Sequence, residues 1–282
     1  MKNKIGFCEW VMPVKGPSVF GIAAGLGADG IQVDDWGSYS QSFPMAEQRI
    51  QNLYIEEAKR WNMEMPSMGC NGFSRSGGLV NRLGTPEGDI SLLAIRTGIR
   101  ACADMGIPLL MLPCCWDGFL RTKEDIENAA DMLRMTCKEA EELDITVAVE
   151  SVLSPERWME ISDYVGSKAF KIYYDTQNSQ YFAGANPPEE LRRLEVSDIA
   201  EVHFKEGLID LQGSRCFGEG ETNFYESADI LRKKGYEGWL IIENFYRKPA
   251  FQSDCKDVYE AMGKDVATLR RVFGGGPGSY TD

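Results

Sequence analysis

Ile199-Ala200-Glu201-Val202-His203-Phe204-Lys205-Glu206 is a short, largely apolar run that carries the chain's one histidine near its C-terminal end. Three other runs close in the same way, each on a carboxylate: Glu150 in TVAVES, Asp175 in KIYYDT and Glu243 in WLIIEN. Successive members stand 25, 28 and 40 residues apart, close to one strand–helix unit per step. Parallel strands need spacings of this kind, because neighbours that run the same way must be joined by long crossovers. A parallel barrel gathers the C-terminal ends of its strands on one rim, so four polar groups at four consecutive strand ends read as one site.

The same pattern extends in both directions. Short apolar runs at roughly 4–10, 28–34, 64–70, 108–114, 146–151, 170–176, 199–204 and 238–244 alternate with longer amphipathic segments. Eight such strands are what a (β/α)8 TIM barrel needs, and a single α/β domain of this type is the expected fold. An open doubly wound sheet would carry a glycine-rich phosphate loop after its first strand; none is evident. Thr85-Pro86-Glu87 reads as an N-cap with Pro at N1, and Thr122 with Asp125 as a capping-box start for a helix running to about 143. The last helix places Val258, Met262, Val266, Leu269 and Phe273 on one stripe and stops at Gly274-Gly275-Gly276-Pro277. The expected boundaries are a barrel domain over 1–273 and a flexible C-terminal tail over 274–282.

Composition narrows the class of partner. The 282-residue chain carries a net charge of −13 and no block of Lys or Arg. Such a chain repels phosphate backbones and anionic lipid, so nucleic acid and membranes are poor partners and a small molecule is the better one. None of the eight cysteines forms a CxxC pair, which reads as reduced thiols in a cytoplasmic protein rather than a zinc or disulfide framework. No signal-like N-terminal run or span of about 20 apolar residues stands out.

Three carboxylates and a neutral imidazole make a mixed oxygen–nitrogen donor set suited to Mn²⁺, Mg²⁺ or Co²⁺, and less to structural zinc. Glu150 and Glu243, on the fifth and eighth strands, would face each other across the rim. With a ketose held there through O2 and O3, one glutamate can remove the C3 proton while the other protonates the opposite face. The same arrangement serves isomerisation or β-elimination beside a carbonyl, so the donor set alone does not choose the reaction.

The stretches AVES, YYDTQNS, EVHFKEG and LIIENFY resemble the xylose-isomerase-like barrels of sugar and sugar-phosphate isomerases and epimerases. The resemblance runs over essentially the whole chain. It is nearest the ketose 3-epimerases, both the tagatose/allulose type and the L-ribulose-5-phosphate (L-xylulose-5-phosphate) type. It implies one divalent metal per chain held by Glu150, Asp175, His203 and Glu243, with Mn²⁺ favoured and Mg²⁺, Co²⁺ or Zn²⁺ also admitted. It implies Glu150 and Glu243 as the acid–base pair, and a homodimer or homotetramer. Glu156 is similar to a family glutamate near substrate C1 and C2, although Ser154-Pro155-Glu156 also reads as a helix start. Arg215 in GSRCFGEG resembles the arginine that holds the O1–O2 region. Asn178 stands where free-ketose epimerases often carry His, which is more like the pentulose-phosphate enzymes. The segment from Pro66 through Arg75 and Arg82 resembles their loop after strand 3, and makes both arginines candidate phosphate contacts. Trp10, at the end of strand 1, and Trp116, after strand 4, are candidate pocket walls.

The expected function is therefore epimerisation of a ketose or ketose phosphate at C3 through a metal-stabilised enediolate. Two alternatives stay open. One is a metal-dependent dehydratase or lyase of a keto-cyclitol or related keto-polyol, of the inosose-dehydratase type; the other is a sugar-binding barrel without catalysis. Relatives of this barrel that act on abasic DNA fit badly, since one histidine and an acidic surface suit neither their His-rich cluster nor DNA docking.

Overall fold

Each apolar run forms a strand in a computed structural model of the protein, which describes residues 2–35, 43–252 and 257–274. The strands are β1 (Ile5–Cys8), β2 (Gly30–Asp34), β3 (Met68–Gly69), β4 (Leu109–Pro113), β5 (Thr146–Glu150), β6 (Phe170–Asp175), β7 (Ile199–Phe204) and β8 (Leu240–Ile242). They form a closed parallel barrel in the order β1 to β8. The helices among them are α1 (Val19–Gly25), α2 (Gln48–Trp61), α3 (Pro86–Met105), α4 (Lys123–Glu141), α5 (Pro155–Val165), α6 (Asn178–Ala183), α7 (Pro187–Arg193), α8 (Phe224–Lys233), α9 (Pro249–Gln252) and α10 (Val258–Gly274). The expected tail, from 275 onward, and Cys255 lie outside the described residues.

The strands are shorter than the apolar runs, for local reasons. Glu9–Val11 turns into a 3-10 helix, so Trp10 follows strand 1 rather than ending it. β3 keeps two residues, preceded by Pro66, which has no N–H to give a ladder. Glu243 falls one residue beyond β8, yet its N–H still donates to Phe204 O at 2.9 Å.

Backbone contacts group the chain into two compact units. The first comprises Met1–Ile31, Trp61–Glu64 and Tyr174–Asp282. Within it β8 pairs with β1 (Phe7↔Ile242) and with β7 (Phe204↔Ile242). Alternation along β7 divides its side chains. Glu201 and His203 are buried on one face, with Lys205 continuing that parity just beyond, while Val202 and Phe204 occupy the other. Phe204 meets Phe224 and Phe273 edge-on at 5.7 Å, and Phe217 stacks on Phe224 at 4.8 Å. Each such pair adds roughly 0.5–1.5 kcal/mol beyond the area it buries. The packing of Phe204 against aromatics of the helical layer thus fixes the opposite parity, with His203, toward the barrel interior.

The second unit comprises Gln32–Arg60 and Met65–Tyr173. Its ladder runs β2–β3–β4–β5–β6, with Val33↔Met68, Met68↔Leu110, Pro113↔Glu150 and Glu150↔Tyr173 in register. Its helix starts are those read in the sequence. Thr85 accepts the Gly88 N–H at 3.1 Å. Thr122 and Asp125 form the reciprocal capping box, at 3.1 and 2.7 Å, and α4 ends at Glu141.

Candidate metal centre and acid–base site

The strand ends carry the site. Asp175 closes β6, His203 is the penultimate residue of β7, and Glu243 follows β8. Backbone bonds lock them side by side, since Thr176 N donates to His203 O at 3.0 Å and Glu243 N to Phe204 O at 2.9 Å. His203 Nδ1 lies 3.9 Å from Asp175 Oδ2 and 3.5 Å from Glu243 Oε2. The other ring nitrogen, Nε2, is 3.3 Å from Cys8 Sγ, which fixes the ring so that Nδ1 faces the carboxylates. Trp10 donates its indole N–H to Glu243 Oε1 at 2.8 Å and sets its ring edge-on to His203 at 5.8 Å. Asp175 Oδ1 accepts two backbone N–H groups, from Gln177 and Asn178, each at 2.7 Å.

One oxygen on each carboxylate is therefore held by aligned N–H donors, Asp175 Oδ1 by backbone and Glu243 Oε1 by Trp10. Asp175 Oδ2 and Glu243 Oε2 are buried and accept no aligned hydrogen bond among the described residues, their close neighbour being the Lys205 ammonium at 2.9 and 2.5 Å. Two buried carboxylate oxygens that face a cation and stand beside an imidazole nitrogen are also the kind of donors a divalent cation takes. Burial pushes the Asp175 carboxyl above its usual range, against the opposing pull of the Lys205 ammonium. Asp175, His203 and Glu243 each offer a ligand atom within 4.8 Å of the others, as do Cys8, His203 and Glu243, while Glu150 ends β5 in the other unit. The donor set of Asp175, His203 and Glu243, two carboxylates and one imidazole, fits a divalent metal.

The other residues singled out in the sequence occupy varied settings. Asn178 opens α6, and its Oδ1 accepts from Lys205 Nζ at 3.1 Å and Gln212 Nε2 at 2.7 Å. Arg215 is half-buried in the loop after β7, where its N–H donates to Glu206 O at 3.2 Å. Glu156 is exposed in the first turn of α5, behind the Ser154 cap. Trp116 is 49% exposed in a 3-10 turn after β4, with a left-handed φ of 50°, and the Arg75 guanidinium lies 4.2 Å over its ring. Arg82 is exposed in the turn before α3, where its carbonyl accepts the Thr85 hydroxyl at 2.7 Å.

Two site residues were not singled out in the sequence. Lys205 places Nζ 2.9 Å from Asp175 Oδ2 and 2.5 Å from Glu243 Oε2. Its position two residues after His203 was the available signal, since alternate strand residues share a face. Glu206 is buried and accepts N–H groups from Gly207, Gly218 and Thr222, each at 3.1 Å, and the Thr222 hydroxyl at 2.6 Å. That carboxylate is the knot around which the FGEGETNF segment folds. A Cβ on Gly220 would collide with Glu206 Oε1 and Gly207 O.

Comparison with known proteins bears on the fold and the family. The chain is 27% identical over 251 residues to a 2-epi-5-epi-valiolone 7-phosphate 2-epimerase of Actinoplanes sp., covering 88% of this chain and 89% of that protein. Its fold matches D-psicose 3-epimerase from Clostridium cellulolyticum H10, solved with D-tagatose, at a TM-score of 0.76 and 15% identity, over 96% of this chain and 99% of that one. It matches the IOLI protein with a bound zinc atom at a TM-score of 0.76 and 14% identity, over 96% and 98% of the two chains. The xylose isomerase-like TIM barrel model matches residues 20–271, and the chain belongs to that family.

Proposed function

We propose that this protein is a divalent-metal-dependent epimerase of a ketose or keto sugar phosphate, acting at the carbon beside the carbonyl, C3 of a ketose. Glu150 and Glu243 are its acid–base pair. The observation that carries the reading is the convergence of the buried Asp175 Oδ2 and Glu243 Oε2 on His203 Nδ1, at 3.9 and 3.5 Å. The 2-epimerase relative, whose substrate is named as a 7-phosphate, supports a phosphorylated substrate. Among the described residues no helix is long and apolar enough to cross a membrane.

Glu150, Asp175, His203 and Glu243 would hold the metal, which as a Lewis acid polarises a carbonyl and stabilises negative charge on its oxygen. The remaining work falls to the chain. Trp10 donates its indole N–H to Glu243 Oε1 and so sets the orientation of that carboxylate. One glutamate takes the proton from one face of that carbon; the second returns a proton to the opposite face and inverts the centre. The Trp10 ring packs T-shaped on His203 in the same corner, at 5.8 Å between ring centres.

The test follows hydrogen exchange. Metal-reconstituted protein in D₂O is given pentuloses, hexuloses and their phosphates, and NMR follows deuterium entering at C3 together with new isomer signals. Glu150→Gln and Glu243→Gln should each abolish that exchange while leaving the barrel folded. Near-normal exchange in either variant removes the two-base mechanism, and a product lighter by one water assigns the chain to the dehydratases instead.

A further inference from the structure

Lys205 lies beside the site and is 2% exposed. Taking an ammonium out of water is costly unless oxygens face it. Three do: Asp175 Oδ2 at 2.9 Å, Glu243 Oε2 at 2.5 Å and Asn178 Oδ1 at 3.1 Å. Only the bond to Asn178 has hydrogen-bond geometry, and the two carboxylate oxygens are close to the charge without being aligned with a donor. Asn178 is itself held by Gln212 Nε2 at 2.7 Å and by its own N–H on Asp175 Oδ1. The Phe245 ring stands 5.1 Å from Nζ and walls one side. The ammonium is thus fixed from behind by a neutral amide and aimed at the carboxylate that would move the proton.

We propose that Lys205 is a further catalytic residue, whose Nζ–H donates to the substrate carbonyl oxygen as that oxygen becomes anionic. The inference rests on the reading of the preceding subsection. As the C–H bond breaks, its proton passes to a glutamate carboxylate and its electron pair becomes the C=C bond of an enediolate. The C=O π pair moves onto oxygen, where Lys205 meets it. Protonation of the opposite face by the other glutamate restores the C=O bond, with no change in oxidation state. In a ketose the carbon that loses its proton and the carbonyl oxygen are separated by a single carbon. A base and a cation 2.5 Å apart can serve both atoms at once. Asn178 is then a positioning residue that acts through Lys205.

The experiment compares wild-type, Lys205→Met and Asn178→Ala holoproteins for kcat, KM, bound metal and affinity for glycolohydroxamate, a planar mimic of the enediolate. Lys205→Met should lower kcat by about 10²–10³-fold and weaken the hydroxamate at least about 10-fold, with bound metal retained. Asn178→Ala should lower kcat by about 10-fold through the misplaced ammonium. A Lys205→Met enzyme within about 3-fold of wild type, or one that loses metal and activity together, overturns the inference. If Lys205→Met does not fold, unchanged kcat in Asn178→Ala overturns it. Wild-type protein that turns over no ketose refutes the epimerase reading separately. The hydroxamate then decides Lys205, and equal binding by wild type and variant, or none by either, counts against it.

Discussion

Asp265 on α10 is fully buried, with Oδ1 accepting from Phe217 N at 2.8 Å and Oδ2 from Asn244 Nδ2 at 2.7 Å and the Tyr246 hydroxyl at 2.5 Å. Burial pushes its carboxyl up from 3.8 to about 7, although those three bonds pull the other way. A carboxyl raised on folding binds its proton more tightly in the native state. Its contribution to stability is therefore full below the unfolded value and is lost as pH rises through about 7. At about 1.36 kcal/mol per pH unit, the loss between pH 5 and pH 8 is about 3 kcal/mol, equivalent to about 5 °C in Tm for a chain of this size. Asp265→Asn removes the titration, and comparing the two proteins cancels every other titrating group. Urea unfolding followed by circular dichroism from pH 5 to pH 8 should show wild type losing about 3 kcal/mol more than the variant. Parallel stability profiles would refute a native carboxyl that holds its proton near neutrality.

Two further substitutions test the packing. Phe204→Ala opens the contact of β7 with Phe224 and Phe273, and should cost about 3–5 kcal/mol in chemical denaturation; a loss under about 1 kcal/mol would mean that the cluster closes over the gap. Gly88→Ala would ordinarily strengthen a helix by up to about 1 kcal/mol, but here the added Cβ runs into the Arg82 carbonyl, so the variant should be destabilised by more than about 1 kcal/mol; a higher Tm than wild type refutes that clash.

Much of the candidate site could be read before folding, because strand alternation and strand ends are local properties. Glu150 and Asp175 end β5 and β6, and His203 lies one residue inside the end of β7, as the apolar runs implied. Thr85 and Thr122 cap their helices because a hydroxyl three residues before a backbone N–H needs no tertiary partner to reach it. Glu243 shows the limit of such a reading: its run extends past the ladder, and the residue is held by a single backbone bond to β7.

What the sequence by itself determined was the eight-strand parallel pattern and the identities of the strand-end donors, since both follow from the spacing of apolar and polar residues along one chain. Only the tertiary structure decided which group each donor atom meets. Trp10 reaches Glu243 across 233 residues, Asn178 and Lys205 meet across 27, and Asp265 finds Asn244 across 21. Those approaches depend on strands lying side by side and on α10 packing back against them. The packing brings remote side chains within hydrogen-bond distance, and no periodicity within a single segment encodes it.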